Sequence, residues 1–495
     1  MKYLQNSGGD LSILITILIY FSGLMYLGWR GFRKTKTFSD YILGGRKLGP
    51  VVGALNVGAS DMSSWLLMGL PGAFYLFGFN QAWMVAGLIT GSYLSWKIVA
   101  IRLRRYTEIA GDSLTLPTFL ENRFEDNSRI LSIITSVVII VFFTVYIASG
   151  FVGSAKLFSQ VFDISYFGAL AISCVVVVSY AFLGGFLAVS WADLFQGLLM
   201  LAVLLITPIV VFFKSDFSVI DFVNKTREIA PEHLNLFHDM SFMGIIGAFA
   251  WGLGYFGQPH IISKYMAIKD QNKIGLARKI CISWMTLAML GSAIIGALGF
   301  VYFVDNPLAE PETVFVAMVH DIFHPIFIGI VISAILSAIM STANAQIIIC
   351  CSALSQDFYR HFFRKNAGDK EMLIVTRSWV LIVALAAFFI ATDETSSILG
   401  LVSQAWAGLG ASIGPIIIFS LFWQKTTKPA AIVGVVSGMV GVIIFSKIFY
   451  FSYEILPAFL LSSLLIFVVS LLTQNQVPSG AKADFEKLKL QIKET

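Results

Sequence analysis

The stretch VVGALNVGASDMSSWLLMGLPGAFYLFG, residues 51–78, is long and apolar enough to cross a membrane, but it is interrupted at its centre. Asp61 lies there among serines and glycines, and Pro71 and Gly72 follow further along. A carboxylate at the bilayer centre costs at least ~2.5 kcal/mol on insertion scales. Non-helical backbone persists at membrane depth only where it is buried in protein or lines a cavity. The stretch therefore predicts a broken transmembrane helix in which Asp61 faces the protein interior.

The composition of the whole chain is that of an integral membrane protein. Of its 495 residues, 57% are hydrophobic and 13% are charged, whereas soluble domains carry roughly 25% charged residues. No long polar block interrupts the apolar runs, so we expect a single transmembrane domain over 1–495. The sequence contains no P-loop signature. We therefore expect a transporter driven by an ion gradient, and neither an enzyme nor catalytic residues.

Thirteen apolar runs are long enough to span the membrane, since a helix needs about 20 apolar residues to cross it. They predict an all-α integral membrane fold with about 13 transmembrane helices. We number these spans 1 to 13 in chain order, at 11–29, 50–76, 80–99, 130–154, 164–186, 190–213, 242–262, 279–304, 325–355, 374–392, 396–423, 429–447 and 455–473.

The distribution of lysine and arginine among the connections predicts the orientation. With the N-terminus outside, 28 of the 34 basic residues fall in cytoplasmic connections or in the C-terminal tail. The richest connections are 30–47, 97–129, 264–279 and 357–377. We expect a multi-pass protein of the cytoplasmic (inner) membrane, with the N-terminus outside and the C-terminus cytoplasmic. The net charge of +5 reflects this topology and does not indicate a nucleic-acid partner.

Span 7 is interrupted in the same way as span 2. Its sequence GIIGAFAWGLGYFGQPHIIS, residues 244–263, contains closely spaced glycines and Pro259. The two interrupted spans are five apart and enter the membrane from opposite sides, so spans 2–6 and 7–11 are predicted to be inverted repeats. Glycine- and proline-interrupted spans at matching positions of two inverted halves indicate a transporter's central site. The alternative is that each glycine only lets helices pack closely.

These boundaries divide the chain into five parts. The tail is basic and follows the last span, so its simplest interpretation is a solvated segment. We expect an N-terminal flanking helix in 1–36, repeat 1 in 37–213, repeat 2 in 240–425, C-terminal flanking helices in 426–475 and a cytoplasmic tail in 476–495.

Span 9 offers oxygen ligands for an ion at the interruptions. Its segment SAILSAIMSTANAQ, residues 333–346, places Ser337, Ser341 and Asn344 on one helical face, and Thr342 adds an adjacent hydroxyl. An unwound helix also frees backbone carbonyls. Carbonyls and hydroxyls, without sulfur or imidazole, suit a hard cation such as Na⁺. The alternative is that these hydroxyls only bond to the carbonyls of their own helix.

Other candidate site residues lie near the interruptions. Asp193 is a second acidic residue, at the start of span 6, where it can lie at the cytoplasmic edge. Aromatic faces with a few polar groups suit a small, partly apolar solute. Side chains of this kind near the interruptions are Trp65, Tyr146, Trp251, Tyr255 and Gln258.

Five motifs together resemble the sodium/solute symporter family, and within it the proline-transporting branch. The resemblance runs from about residue 37 to 425. It implies a leucine-transporter-like core in which spans 2–11 form a 5+5 inverted repeat, with flanking helices. The motifs are DYILGGRKLGP (40–50), GASDMSSWLLMGLPG (58–72), FLGGFLAVSWAD (182–193), WGLGYFGQPHI (251–261) and SAILSAIMST (333–342).

The resemblance also implies a sodium site and a substrate site. Asp61 matches the family's essential aspartate and is expected to support the sodium site without necessarily binding the ion. The implied sodium ligands, carried over by motif, are Ala59, Met62, Ala338, Ser341 and Thr342. The implied substrate contacts are Ser63, Ser64, Trp65, Tyr146, Trp251, Tyr255 and Gln258.

The chain departs from the family pattern at Ser64. Proline carriers usually read DMSGW where this chain reads DMSSW, so a hydroxymethyl group is added to a tight pocket. The substrate is predicted to be L-proline, with another small amino acid or a carboxylate as the alternative. Some relatives hold a second sodium with hydroxyls near Asn344 and Ala345 and an acid like Asp193. Because Asn344 and Ala345 lack hydroxyls, we expect one Na⁺.

The predicted function is secondary active symport, in which Na⁺ entry drives L-proline uptake by alternating access. The expected partners are Na⁺ as the co-transported ion, L-proline and the lipid bilayer, without nucleic acid or an obligatory protein partner. A transporter-like sensor is the alternative from another class, and a passive channel is a third. About 20 residues follow the last span, too few for a signalling domain. The interrupted spans argue against an open channel.

Overall fold

The architecture is that of a computed structural model, which describes residues 7–34, 37–183, 186–214, 218–449 and 453–493. Within these ranges the chain is helical, and its β contact is an isolated parallel bridge between Leu48 and Ile268. The predicted all-α fold is confirmed.

Each predicted span corresponds to one helix or to a short series of helices. Spans 1, 4, 5, 6, 8 and 9 are Ser7–Lys34, Ile130–Phe162, Tyr166–Leu183, Phe186–Lys214, Ile274–Tyr302 and Pro325–Ser352, the last continuing as Ala353–Phe363. Spans 10 to 13 are Asp369–Ile390, Ile398–Phe422, Lys428–Lys447 and Ile455–Leu472. The composite spans are span 2 (Pro50–Asp61, Trp65–Gly69, Leu70–Phe77), span 3 (Ala82–Leu94, Ser95–Val99, Ala100–Ile109) and span 7 (Phe242–Phe249, Ala250–Phe256, Pro259–Ala267).

Length and composition agree with the predicted span count. In the described part of the chain, 10 helices are long and apolar enough to cross a membrane. One of them, Trp65–Ile109, contains the second half of span 2 together with span 3. Spans 5 and 7 appear as the shorter apolar helices Tyr166–Phe182 and Phe242–Phe256. The connecting helices include Phe38–Leu43, Leu116–Arg123, Val219–Ile229 and Val314–Ile322.

The packing between spans has the symmetry of an inverted repeat. Span 2 packs on span 8, and span 7 packs on span 3. When each span of one repeat is exchanged for the span at the same position in the other repeat, the first contact becomes the second. Spans 4 and 11 and spans 9 and 6 form a second exchanged pair. The contact of span 7 with span 3 and that of span 8 with span 2 are each so close that they need glycine. A Cβ atom at Gly252 would lie 2.2 Å from the carbonyl oxygen of Gly87, and one at Gly296 would lie 2.2 Å from that of Pro71.

Described residues of the connections 30–47, 97–129, 264–279 and 357–377 contact one another at one end of the helix bundle, which we call the basic end. The bridge at Leu48 joins the start of span 2 to the end of span 7 there. Arg46 donates to the carbonyl oxygen of Met266 at 2.9 Å, and Arg104 donates to that of Ile268 at 2.7 Å. These contacts at the basic end therefore hold the start of span 2 and the end of span 7 together.

The sequence was interpreted as placing a solvated segment at the C-terminus, but the tail packs on the protein. Residues Ala481–Lys493 form a helix that packs on Ala100–Ile109, with Phe485 and Leu488 buried. The Glu125 carboxylate accepts hydrogen bonds from the backbone amide of Gly480, at 2.8 Å, and from that of Ser479. These bonds lower the pKa of Glu125. The contact is thus strongest with the carboxylate ionised and weakens as pH falls through this lowered pKa.

We predict that Phe485→Ala will release the tail helix. A 13-residue helix is marginal alone in water, and emptying a buried phenylalanine site costs about 3–5 kcal/mol. Amide hydrogen exchange across 481–493 should accelerate by at least ~100-fold. Leu490→Ala is the matched control, because Leu490 is exposed. Equal exchange in the two variants would show that Phe485 does not hold the helix.

Candidate functional site

The interruption of span 2 places Asp61 at the C-terminal end of a half-helix. Pro50, which lacks an amide hydrogen, starts the helix Pro50–Asp61, and Met62 leaves the helical conformation with φ −91° and ψ 78°. The Ser63 amide then donates to the Asp61 carbonyl at 3.2 Å instead of continuing the helical pattern. The chain becomes helical again at Trp65. The predicted break at the Ser and Asp cluster is confirmed.

Span 7 is broken at the matching position. The backbone tightens to a 3-10 helix over Ala250–Phe256 and reaches an extended conformation at Gln258, with φ −84° and ψ 107°. Pro259 then starts the helix Pro259–Ala267. The two breaks face each other, because the Tyr255 hydroxyl donates a short hydrogen bond to Oδ2 of Asp61.

The Asp61 carboxylate is fully buried and only half satisfied. It is 2% exposed, and its Oδ1 has no hydrogen-bond partner among the described residues. A negative charge at the C-terminal end of a helix is also disfavoured by the helix dipole. A cation near Oδ1 would relieve both costs.

Three oxygen atoms that suit a cation meet where the same half-helix contacts span 9. The Ser341 hydroxyl donates to the carbonyl oxygen of Ala59 at 2.8 Å and to that of Ala338 at 3.1 Å. The Thr342 hydroxyl is buried and has no partner within the described ranges. Met62 is buried at the break itself. We call Ala59, Met62, Ala338, Ser341 and Thr342 the candidate ion site. Its carbonyl and hydroxyl oxygens are hard ligands that fit Na⁺.

Several predicted substrate residues surround the Asp61 backbone. The indole Nε1 of Trp65 donates to the Asp61 carbonyl at 3.1 Å, and the Tyr146 hydroxyl reaches the same oxygen at 3.4 Å. The Ser63 hydroxyl accepts from the Trp65 amide at 3.5 Å. Together with Tyr255 they form a buried aromatic and hydroxyl cluster next to the candidate ion site.

Ser64 faces span 4 at a point of very close approach. Its hydroxyl donates to the Ser149 carbonyl at 3.4 Å. A Cβ atom at Gly153 would lie 2.6 Å from Cβ of Ser64 and 2.9 Å from its Oγ. The extra hydroxymethyl group of Ser64 is therefore accommodated by a glycine on the neighbouring helix.

The remaining predicted substrate residues, Trp251 and Gln258, contact Tyr453 and Trp406 of the C-terminal part of the chain. The Trp251 ring stacks on Tyr453, with ring centroids 4.7 Å apart. The Gln258 side chain donates to the Trp406 carbonyl at 3.1 Å. Its Oε1 is buried and has no partner within the described chain.

Three residues near the site were missed by the sequence analysis. Trp406 packs edge-on to Tyr255, with ring centroids 5.0 Å apart, and donates from Nε1 to the Trp251 carbonyl at 2.7 Å. His260 is buried against Tyr146. Lys264, counted above in connection 264–279, is instead buried in the helix Pro259–Ala267. None of the three carried a local sequence signal that distinguished it from its neighbours.

Asp193 is buried, although its place near the end of a span suggested an exposed edge. It is fully buried in the helix Phe186–Lys214, and its Oδ2 lies 3.6 Å from Nζ of Lys264. It is therefore a second interior carboxylate and does not lie at an exposed edge. Asn344 is buried too, and its amide has no hydrogen-bond partner within the described residues.

Comparison with protein families and relatives gives one consistent result. The model of the sodium:solute symporter family matches residues 41–438. The chain is 46% identical over 465 residues to the high-affinity proline transporter PutP of Bacillus subtilis, covering 93% of this chain and 98% of that relative. It is 44% identical over 477 residues to the sodium/proline symporter of Escherichia coli, covering 95% and 94% of the two chains.

Solved structures show the same fold at low sequence identity. A Na⁺-coupled sialic acid symporter in its substrate-bound outward-open state matches with a TM-score of 0.80 and 16% identity, over 93% of this chain and 98% of that one. Mhp1, a nucleobase-cation-symport-1 family transporter, matches with a TM-score of 0.57 and 15% identity, over 90% and 98%. These likenesses bear out the predicted leucine-transporter-like architecture.

We predict that Gly153→Ala will destabilise the protein and that Ser64→Gly will rescue it. The new methyl group overlaps Cβ and Oγ of Ser64, and overpacking of this kind costs about 1–3 kcal/mol. The double variant removes the overlapping atoms, so its thermal unfolding midpoint in detergent should return toward that of the wild type. Gly275→Ala is the matched control, because its added methyl group would meet nothing within 4 Å. A double variant no more stable than Gly153→Ala would contradict the contact.

Proposed function

Because the chain belongs to the sodium:solute symporter family, we propose that it is a secondary active transporter that couples Na⁺ entry to the uptake of L-proline. The names of the Bacillus subtilis and Escherichia coli relatives support proline as the substrate. Both relatives align over nearly their whole length, 98% and 94%.

The observation that carries the proposal is the junction of the Pro50–Asp61 half-helix with span 9. Its Ala59 carbonyl meets the Ser341 hydroxyl, and the half-satisfied Asp61 carboxylate lies at the same helix end. We propose that Na⁺ binds the candidate ion site. Asp61 would then act through its negative field, which offsets the cost of removing water from Na⁺.

We propose that the substrate binds on the other side of the same break. The amides at the start of the Trp65 helix would attract the carboxylate of proline, as helix N-termini attract anions. Hydroxyls of Ser63 and Ser64 would add hydrogen bonds, and the rigid ring would pack on Trp251 and Tyr255. Trp65, Tyr146 and Gln258 would complete the proposed pocket, and a rigid ligand loses little conformational entropy when it binds a preformed wall.

Coupling follows from the position of the ion between the repeats. Ala59 belongs to the first proposed repeat, 37–213, and Ser341 to the second, 240–425. An ion that binds both stabilises the arrangement in which they meet more than the arrangement in which they separate, which shifts the conformational equilibrium. One charge moving through 100 mV supplies ~2.3 kcal/mol, or roughly 50-fold accumulation before the Na⁺ concentration gradient is counted.

We also propose the orientation and the membrane. The basic end would face the cytoplasm, with the N-terminus outside and the C-terminus inside the cell, in the cytoplasmic membrane. The asymmetry of lysine and arginine supports this assignment. Because the proposed ion and substrate residues come from one chain, we propose function without an obligatory protein partner.

Symport of another small amino acid or a carboxylate is the second candidate function. The observation that favours it is the sequence at Ser64, since proline carriers usually have glycine at this position next to the proposed substrate residues. Uptake into proteoliposomes, with proline tested against a panel of such solutes and with or without a Na⁺ gradient, separates the two candidates. Na⁺-driven uptake of another solute without proline uptake would overturn proline as the substrate.

We predict that Thr342→Val will weaken proline binding at low Na⁺ and that high Na⁺ will restore it. The change keeps the side-chain shape but removes a hydroxyl from the candidate ion site. By linkage, weaker Na⁺ binding lowers proline affinity at sub-saturating Na⁺, here by roughly 10-fold. Thr342→Ser keeps the hydroxyl and should bind as the wild type does. The measurement is proline binding as a function of Na⁺ concentration, and superimposed curves for Thr342→Val and wild type would refute the ligand assignment.

We predict that Asp61→Asn will lower Na⁺-driven uptake on the order of 100-fold, because removing one partner of a buried charge pair costs about 3–5 kcal/mol. Asp61→Glu should retain part of the activity, since it keeps the charge. Initial uptake rates, normalised to folded protein, provide the test. Normal uptake by Asp61→Asn would exclude the proposed role of the charge.

A further inference from the structure

A lysine is buried inside the protein next to the interrupted half-helix of span 2, where a charge is costly unless it is paired. Lys264 is 3% exposed and sits about six residues beyond the break of span 7. At the helical rise this places it ~9 Å along the axis from Gln258. Four residues further on, Ile268 forms the bridge to Leu48 at the basic end.

The ammonium group of Lys264 is surrounded by oxygen atoms of two other spans. Nζ donates to the Asn56 carbonyl at 2.9 Å and makes a short hydrogen bond to the Ser60 hydroxyl. The Asp193 carboxylate lies 3.6 Å away. A carbonyl, a hydroxyl and a carboxylate are the ligands that a hard cation prefers. The ammonium therefore occupies a position chemically similar to the candidate ion site.

The two positions share one half-helix. Ser60, which accepts from Lys264, is adjacent to Ala59 of the candidate ion site. Both positions lie near the C-terminal end of the helix Pro50–Asp61, where the helix dipole favours positive charge. One position contains a cation that belongs to the chain, and the other must take its cation from solution.

Asp193 depends on Lys264 for its charge balance. Neither carboxylate oxygen of Asp193 accepts a hydrogen bond within the described residues. In their ordinary charged forms, Asp61, Asp193 and Lys264 sum to one negative charge, which one Na⁺ neutralises. The cavity beside Lys264, lined in part by Asn56, Ser190 and His260, is only about 10 Å³. That is room for about one water molecule and not for a further hydrated ion.

We propose that Lys264 is a resident cation that fills a second cation position formed by Asn56, Ser60 and Asp193, and that it thereby fixes the requirement at one Na⁺ per substrate. The proposal rests on the proposed function, since it assigns the ion stoichiometry of the same transporter. The competing explanation is that Lys264 only ties spans 2, 6 and 7 together.

The first test is Lys264→Ala, which vacates the position and leaves Asp193 without a partner. The ratio of ²²Na⁺ to proline taken up by proteoliposomes should rise from one to two, and the Na⁺ dependence of uptake should become steeper. Lys264→Met removes the charge but fills the space, so its ratio should stay at one. Lys264→Ala with Asp193→Asn removes the carboxylate as well, and its ratio should return to one. A ratio of one in folded Lys264→Ala would overturn the proposal.

A second comparison keeps the test decisive if Lys264→Ala does not fold. Asp193→Asn alone leaves the core neutral without Na⁺, so Na⁺ affinity should fall on the order of 10-fold. Adding Lys264→Met restores one negative charge and should recover most of that affinity. A purely structural tie predicts the opposite, with the double variant no better than Asp193→Asn. Vesicles with the wild-type protein distinguish failure of the proposed function from failure of the proposed role of Lys264. If they show no Na⁺-driven proline uptake, the proposed function itself is refuted.

Discussion

The burial of the Asp61 carboxylate at the C-terminal end of a half-helix is the constraint on which the rest of the core depends. Removing such a charge from water costs several kcal/mol unless other groups compensate it. Tyr255 donates to it from span 7, and the Ser341 hydroxyl of span 9 donates to the Ala59 carbonyl of the same half-helix. Both contacts come from the second half of the chain. The charge of Asp61 makes the relative position of the two halves energetically important.

The interruptions could be predicted from sequence because their causes are local. Serines and an aspartate compete with helical hydrogen bonds, and Pro259 cannot continue a helix. The partners across the core could not be predicted from local sequence. Ser341 meets Ala59 only because spans 2 and 9 pack together, and the motif resemblance was the one route to that pairing. Trp406 gave no signal of its own in a chain with 14% aromatic residues.

Charge position was the least predictable property. Lys264 follows an apolar run and was assigned to a basic connection. It is buried instead, and its ammonium group contacts Asn56 and Asp193, which are distant in sequence. The C-terminal tail is the opposite case, because its burial could have been predicted from the local sequence. Ala481, Phe485 and Leu488 recur at helical spacing, so the buried face of Ala481–Lys493 was readable from periodicity. Counting charge alone led to the solvated interpretation.

The two cation positions on the Pro50–Asp61 half-helix differ in what they can do. A cation that is covalently part of the chain is present in every conformation, so it stabilises the half-helix without responding to the medium. A ligand shifts an equilibrium only through its different affinity for the two states. A diffusible ion at Ala59 and Ser341 meets this condition, because one of its partners lies in each repeat. Filling one position with Lys264 and leaving the other to Na⁺ would therefore confine the response to the medium to a single ion, while Lys264, on repeat 2, compensates Asp193 of repeat 1 in the arrangement in which the repeats meet.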